Sequence, residues 1–277
     1  MESAQKTPAE IAEDSIKKKF HKSLFSRFAK AIVEYGLIQP NDKIAVCMSG
    51  GKDSFVMAKL FQELKRHNKI PFELVFLVMD PGYSEENRQA IINNANLLNI
   101  PVTIYDTDIF DSVYTMDKSP CYLCARMRRG HLYHAASDLG CNKIALGHHY
   151  DDVIETTLMG MLYAGQIQTM LPKVRSANFK GMELIRPMYL IREKTVKEWR
   201  DYNNLKFLQC ACKFTQNVSC HSEDSKRMKV KNLIARLESE DKGIEQNIFR
   251  SVENVCLGAV IEYKDKDGVR HRFTEDY

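Results

Sequence analysis

The chain has 277 residues, 44% of them hydrophobic and 27% charged. That suffices to bury a core in one large domain, or in one domain with an appendage, and excludes a collagen-like, mucin-like or wholly disordered chain. Forty Lys and Arg against thirty-six Asp and Glu give a net charge of +4, concentrated in runs at residues 17–30 and 226–236 that suit either phosphates or solvent. No stretch approaches a membrane span in length and the N-terminus has no hydrophobic signal core, so a cytoplasmic chain without membrane roles is expected.

In chain order, Phe20, Leu24, Phe28, Ile32 and Tyr35 recur at spacings of three and four. They predict an amphipathic helix over 20–36 with a basic polar face and Gly36 as its stop, and residues 1–39 read as an N-terminal basic helical segment. Residues 43–48 predict a short strand, and Ser49-Gly50-Gly51-Lys52-Asp53-Ser54 follows, directly before a helical pattern from Phe55 to Leu64. Strand, glycine turn and helix in that order bring backbone N–H groups and a helix N-terminus against an anion. Lys52 adds a point charge, and the Ser49 and Ser54 hydroxyls can donate. Asp53 is repulsive beside phosphates unless a cation bridges them, which implies Mg²⁺ on a triphosphate or its pyrophosphate product. The loop has neither the spacing of a kinase-type phosphate loop nor the GxGxxG of a dinucleotide fold.

Residues 72–79 form the near-continuous apolar run of a strand buried on both faces, ending at Asp80-Pro81-Gly82. A helix is expected over 85–98, a strand over 102–106, a helix over 132–139, a strand over 143–147 and a helix over 153–162. The alternation argues for an α/β fold, an open parallel sheet flanked by helices. Its ligand should sit beyond the carboxyl ends of the strands, where Ser49, Asp80 and His148 are expected. Asp80 can meet a nucleoside there or simply form a turn. In His148-His149-Tyr150-Asp151-Asp152, Asp152 or Asp151 offers a second carboxylate to Mg²⁺ or a helix cap. No HExxH occurs, which argues against hydrolytic zinc.

Eight cysteines, at 47, 121, 124, 141, 210, 212, 220 and 256, are read as reduced thiols, since the chain is not a small secreted one. Cys121 and Cys124 follow Pro120 as a turn feeding a basic helix. Zinc, redox exchange and iron–sulfur ligation all use such a pair, and Cys210, Cys212 and Cys220 are the distant candidates for a third ligand. Cys47, Cys141 and Cys256 lie in apolar surroundings and are expected in the core.

The Ser-Gly-Gly-Lys-Asp-Ser run at 49–54 resembles the pyrophosphate-loop (PP-loop) motif of the ATP pyrophosphatase superfamily. With Cys121-x-x-Cys124, Gly147-His148-His149-Tyr150-Asp151-Asp152, Arg186-Pro187 and Arg192-Glu193-Lys194, the chain is similar to the bacterial tRNA 2-thiocytidine synthetase family from about residue 20 to 255. The resemblance implies an adenine nucleotide alpha hydrolase-like fold over 40–256, with 257–277 a tail or hairpin. It implies ATP-dependent adenylation of C2 of cytidine 32 in tRNA and replacement of its oxygen by sulfur, with a 4Fe-4S cluster held by three cysteines. Carried over residue by residue, ATP and Mg²⁺ fall to Ser49, Gly50, Gly51, Lys52, Asp53, Ser54, Asp80, His148 and Asp152. The cluster falls to Cys121, Cys124 and Cys210, with Cys212 close behind.

Two positions depart from the family pattern: the second cysteine block is CxC where CxxC is usual, and Tyr150 stands where arginine is usual. The zinc ribbons of related tRNA thiolases have no ligands in residues 1–46, which hold no cysteine. The implied partners are tRNA, a sulfur donor (sulfide or a cysteine desulfurase) and a second copy of the chain. Phosphate contacts are expected from residues 20–30, Arg126, Arg128, Arg129, Lys173, Arg175, Lys180 and 226–236, with Tyr163 stacking on a base. The alternatives are thiolation of another tRNA base or a free nucleobase, and ATP-dependent synthesis of a small metabolite, which would need no cluster.

Overall fold

The structure, a computed structural model, describes residues 6–67, 69–110, 120–208 and 225–275, with the side chains of 120–126 excepted. The expectations for Cys210, Cys212 and Cys220, and for the side chains of Cys121, Cys124 and Arg126, therefore lie outside the described residues. Contacts divide the chain into one unit of Met1–Asp152 with Leu171–Ser222 and another of Val153–Met170 with Glu223–Tyr277.

The first unit is built on β1 (Asp42–Met48), β2 (Phe72–Asp80), β3 (Val102–Asp106), β4 (Lys143–Ala145), β5 (Lys173–Arg175) and β6 (Glu183–Ile185). They form one sheet in the order β3-β2-β1-β4-β6-β5, parallel except for the edge strand β5. β1 is central and alternates its burial: Ile44, Val46 and Met48 face one cluster, and Ala45 and Cys47 the other. The first is closed by Phe55, Val56, Leu60 and Phe61 of α3 (Lys52–His67), and the second by Tyr133, Ala135 and Ala136 of α5 (Pro120–Asp138). Helices on both faces explain why these strands read as nearly unbroken apolar runs. The remaining connection, α4 (Glu85–Leu97), is capped by Ser84, which accepts from Asn87 N.

The expected helix over 20–36 opens with a π-helical turn and is preceded by a further helix. α1 (Pro8–Lys17) precedes it, started by a reciprocal Thr7–Glu10 capping box with Pro8 in the first turn. A π-helical turn, His21–Phe25, then leads into α2 (Ser26–Glu34). The wider turn accompanies burial of both Leu24 and Phe25, and the Phe25 ring stacks on His67 at 4.9 Å. Sequence spacing misses this because a π-turn shifts the register by one residue. Gly36 ends the segment with φ +55°. Phe20, Leu24, Phe28 and Ile32 all join the core of the first unit.

Cys121 and Cys124 lie not in a turn before a helix but within the opening of α5, which starts at Pro120; a proline costs nothing at a first position whose N–H has no helical partner. Cys47 and Cys141 are buried as expected, whereas Cys256 is exposed, because it caps a short helical turn beyond the last long helix rather than a core element.

The second unit takes α6 (Tyr150–Ala164) from Val153 onward, α8 (Lys226–Glu240), α9 (Ile244–Ser251) and an antiparallel hairpin of β7 (Glu262–Lys264) and β8 (Arg270–Arg272). Arg227 on α8 reaches Glu155 of α6 at 3.4 Å. Lys226 lies 5.0 Å from the ring centre of Tyr163, which is exposed.

Two consequences are measurable. Lys143, buried, bonds Asp42 at 2.8 Å, Glu183 at 3.2 Å and the Leu37 carbonyl at 2.9 Å. Lys143→Met leaves two carboxylates without their cation and should cost about 3–5 kcal/mol in urea unfolding. Burial, and then the neighbouring Cys141, push the Cys47 thiol up to about 12. Iodoacetamide at pH 8 should therefore alkylate Cys256 and leave Cys47 and Cys141 intact until denaturant is added, as read by peptide mass mapping.

Candidate functional site

The strand order reverses direction beside β1: β2 lies on one side and β4 on the other. An open parallel sheet leaves a crevice at such a switch point, beyond the carboxyl ends of its strands. The 49–54 loop leaves β1 there, and residues 147–152 leave β4 beside it. The two segments touch: a Cβ on Gly147 would stand 3.4 Å from the Asp53 carbonyl carbon, in van der Waals contact with it. Gly50 turns the loop with φ +84°, and its carbonyl accepts the Leu208 N–H at 3.2 Å. Ser54 Oγ donates to Gly51 O at 2.8 Å, closing the first turn of α3, whose leading N–H groups have no helical partner and point into the crevice.

Charge is arranged around this opening. Lys52 Nζ lies 3.0 Å from Asp53 Oδ2 and 3.3 Å from Glu193 Oε1. Glu193 is held in turn by Lys197 at 3.0 Å and opens α7 (Glu193–Tyr202). The other Asp53 oxygen, Oδ1, is buried and makes no hydrogen bond, with His149 Nε2 4.0 Å away. A buried carboxylate oxygen left open is costly unless a cation or donor meets it. Among the described residues no three His, Cys, Asp or Glu side chains form a metal cage; Mg²⁺ beside phosphates needs only one or two carboxylates. Asp53 Oδ1 fits that requirement.

The two aspartates of the 148–152 run have separate duties. His149 N donates to Asp152 Oδ2 at 3.0 Å and Asp152 N to His149 Nδ1 at 3.4 Å, a reciprocal cap on α6. Asp151 accepts from Arg192 Nη2 at 3.1 Å and from Glu193 N at 2.7 Å, tying α7 to the same opening. Asp80 stands at the end of β2, but its side chain is occupied: Oδ1 accepts from Gly82 N at 2.9 Å and Tyr83 N at 2.7 Å, and Oδ2 from Arg88 at 2.7 Å. Its carbonyl accepts from Thr107 N and Oγ1.

Ser49, Asp80 and His148 thus all lie at the carboxyl edge. So does the start of α5, since Met127 packs with Met79 near the end of β2 and Arg128 donates to Tyr83 OH at 3.3 Å. The described chain closes toward the second cysteine block at Leu208, two residues before Cys210, on its hydrogen bond to Gly50. Phe207 stacks on Phe55 at 4.8 Å and anchors that return. Glu193 is the addition to the expected site residues: Arg192-Glu193-Lys194 was visible as a block, but one-dimensional spacing carries no sign that Glu193 meets Lys52 or that His149 approaches Asp53.

Gly50→Ala is expected to remove nucleotide binding. Its Cβ would stand 2.8 Å from Ile91 Cγ1 and 3.1 Å from Leu208 Cδ1, and the backbone adds about 1–2 kcal/mol for a side chain at positive φ. Loss of ATP binding by calorimetry with a fall in melting temperature is the expected result; wild-type values for both would contradict the geometry.

A PP-loop domain model matches residues 17–218. The tRNA-cytidine(32) 2-sulfurtransferase of Acaryochloris marina is 33% identical over 249 residues, covering 88% of this chain and 85% of its own length. The protein of that name from Geobacter sulfurreducens is 31% identical over 238 residues, 85% of this chain and 90% of its own. Among solved structures, the U34-tRNA thiolase NcsA from Methanococcus maripaludis with its 4Fe-4S cluster aligns with a TM-score of 0.67 at 24% identity, over 86% of this chain and 80% of that one, a likeness of fold. With the glycine turn at the switch point of a parallel sheet, these matches place the chain in the PP-loop family and, within it, among the tRNA-cytidine(32) 2-sulfurtransferases.

Proposed function

We propose that the chain is an ATP-dependent tRNA sulfurtransferase that exchanges the C2 oxygen of cytidine 32 for sulfur. The pyrimidine C2–O bond is a poor point of departure. Attack of that oxygen on the α-phosphorus of ATP releases pyrophosphate and leaves an O-adenylate; sulfide then adds at C2, and AMP departs with the oxygen. The observation that carries the reading is the Leu208–Gly50 hydrogen bond, which ties the chain just ahead of Cys210 to the loop suited to phosphates. The opening of α5, with Cys121 and Cys124, lies toward the same edge of the sheet.

Lys52 and the N–H groups of residues 49–54 stabilise charge on the phosphates, Lys52 exchanging its contacts with Asp53 and Glu193 for the nucleotide. Asp53, whose Oδ1 has no hydrogen bond, would hold Mg²⁺ together with Asp152, and the cation would neutralise charge on the phosphates. Asp80 shapes the 81–83 turn at the end of β2, and His148 stands past the end of β4, both at the edge where the nucleoside would lie. A 4Fe-4S cluster held by Cys121, Cys124 and Cys210, with Cys212 the alternate third ligand, supplies when bound an iron able to carry sulfide. The partners are tRNA, a sulfur donor (sulfide or a cysteine desulfurase) and a second copy of the chain, and ATP and tRNA put the reaction in the cytoplasm. No helix among the described residues is long and apolar enough to cross a membrane.

Mass spectrometry of tRNA nucleosides from cells with and without the gene tests substrate and reaction together: 2-thiocytidine should vanish alone, and an unchanged thionucleoside profile would refute the assignment. In anaerobic turnover with ATP, Mg²⁺, tRNA and sulfide, Lys52→Ala and Asp53→Asn should slow thiolation on the order of 10²–10³-fold. Wild-type rates would remove both residues from the chemistry.

A further inference from the structure

Three Lys or Arg side chains are buried among the described residues: Lys59, Lys143 and Arg186. The lysines are matched. Lys59 meets Glu13 at 2.7 Å, and Lys143 meets Asp42 and Glu183. Arg186 is not: it is 8% exposed, its Nε makes no hydrogen bond, and its recorded side-chain bond runs from Nη1 to the Leu171 carbonyl. A buried cation without a carboxylate is strongly unfavourable, so a fold retaining one has another anion in view.

The neighbourhood adds to the imbalance. Burial, and then the charge of Arg129, push the Arg186 guanidinium down to about 10. Tyr189, Tyr133 and Asp152 act the other way, but the Tyr133 hydroxyl is bonded to Ser176 and Asp152 caps α6. Arg129 is exposed on α5, five residues beyond Cys124. Arg186 is the first residue past the carboxyl end of β6, whose Ile185 carbonyl accepts from Leu146 N, just before Gly147 and His148. Two guanidiniums thus face each other, one on the helix that carries the cysteine pair and one at the end of the strand beside the nucleotide crevice.

We propose that Arg186 and Arg129 form a binding site for one phosphate group, separate from the 49–54 loop and contributed by a phosphodiester of the substrate RNA. An oxyanion there satisfies Arg186 Nε, relieves repulsion between the two cations, and accepts charge-assisted hydrogen bonds from both forks. It fixes the backbone of the nucleotide whose base enters the crevice. The RNA identity rests on the thiolation reading; the phosphate site does not.

The test has separable arms. Arg129→Ala, at an exposed position, should weaken tRNA binding about tenfold and make the slope of log K against log salt shallower by about 1, with ATP affinity unchanged. Weaker ATP binding with unaltered tRNA binding would keep the phosphate site and assign it to the nucleotide instead. No change in either would overturn the proposal. Arg186→Met should show the same shallower slope while the free protein melts at or above the wild-type temperature, since an uncompensated charge is gone. A lower melting temperature with an unchanged slope would mean a structural role and sink the idea. With Mg²⁺ and a non-hydrolysable ATP analogue saturating the loop, inorganic phosphate should still raise the melting temperature of wild type but not of Arg186→Met. No shift in wild type, or an equal shift in Arg186→Met, would overturn the phosphate site.

Discussion

Three segments meet on one residue of the β1–α3 turn. Gly50 takes a left-handed backbone, gives its carbonyl to Leu208, and presents its Cα to Ile91 and Leu208 with no room for a side chain. The turn sets where β1 ends and where the N-terminus of α3 points, which is the geometry an anion needs. The same residue receives the chain returning from α7, so the segment ahead of the second cysteine block is placed by a backbone hydrogen bond. The β4 exit at Gly147 lies against the Asp53 backbone. The space at Gly50 is kept open by an absent side chain, and the polar groups are arranged around it.

Those polar groups form a connected chain rather than a set of independent ligands. Lys52 is shared by Asp53 and Glu193, Glu193 opens the helix whose first N–H Asp151 accepts, and Asp151 neighbours the His149–Asp152 cap. Each residue is oriented by the next, so a phosphate drawing Lys52 away also redistributes charge at the starts of α6 and α7. Asp80 shows the opposite case. It sits at the expected strand end, yet its carboxylate is consumed by the turn and by Arg88. A position at the active edge does not by itself make a side chain available.

Buried charge separates structure from function in the first unit. Lys59 and Lys143 join α1 to α3 and β1 to β6 through carboxylates, as structural ion pairs do. Arg186 lies in the same unit without that compensation. Folding alone gives no reason to hold a guanidinium in such a place, whereas a substrate that brings its own negative charge does.

Local chemistry was legible along the chain: the glycine turn between strand and helix, the apolar runs of β1 and β2, the alternation that makes an α/β sheet, and the blocks that carry the family likeness. These depend on neighbours within a few residues, where periodicity and turn propensity act directly. Tertiary structure alone decided the π-turn at His21–Phe25, the helical setting of Cys121 and Cys124, the exposure of Cys256, the meeting of Glu193 with Lys52, and the isolation of Arg186. The meeting of Glu193 with Lys52 and the isolation of Arg186 turn on which distant segment lies beside a residue, and pairing between segments far apart in the chain leaves no trace in local spacing.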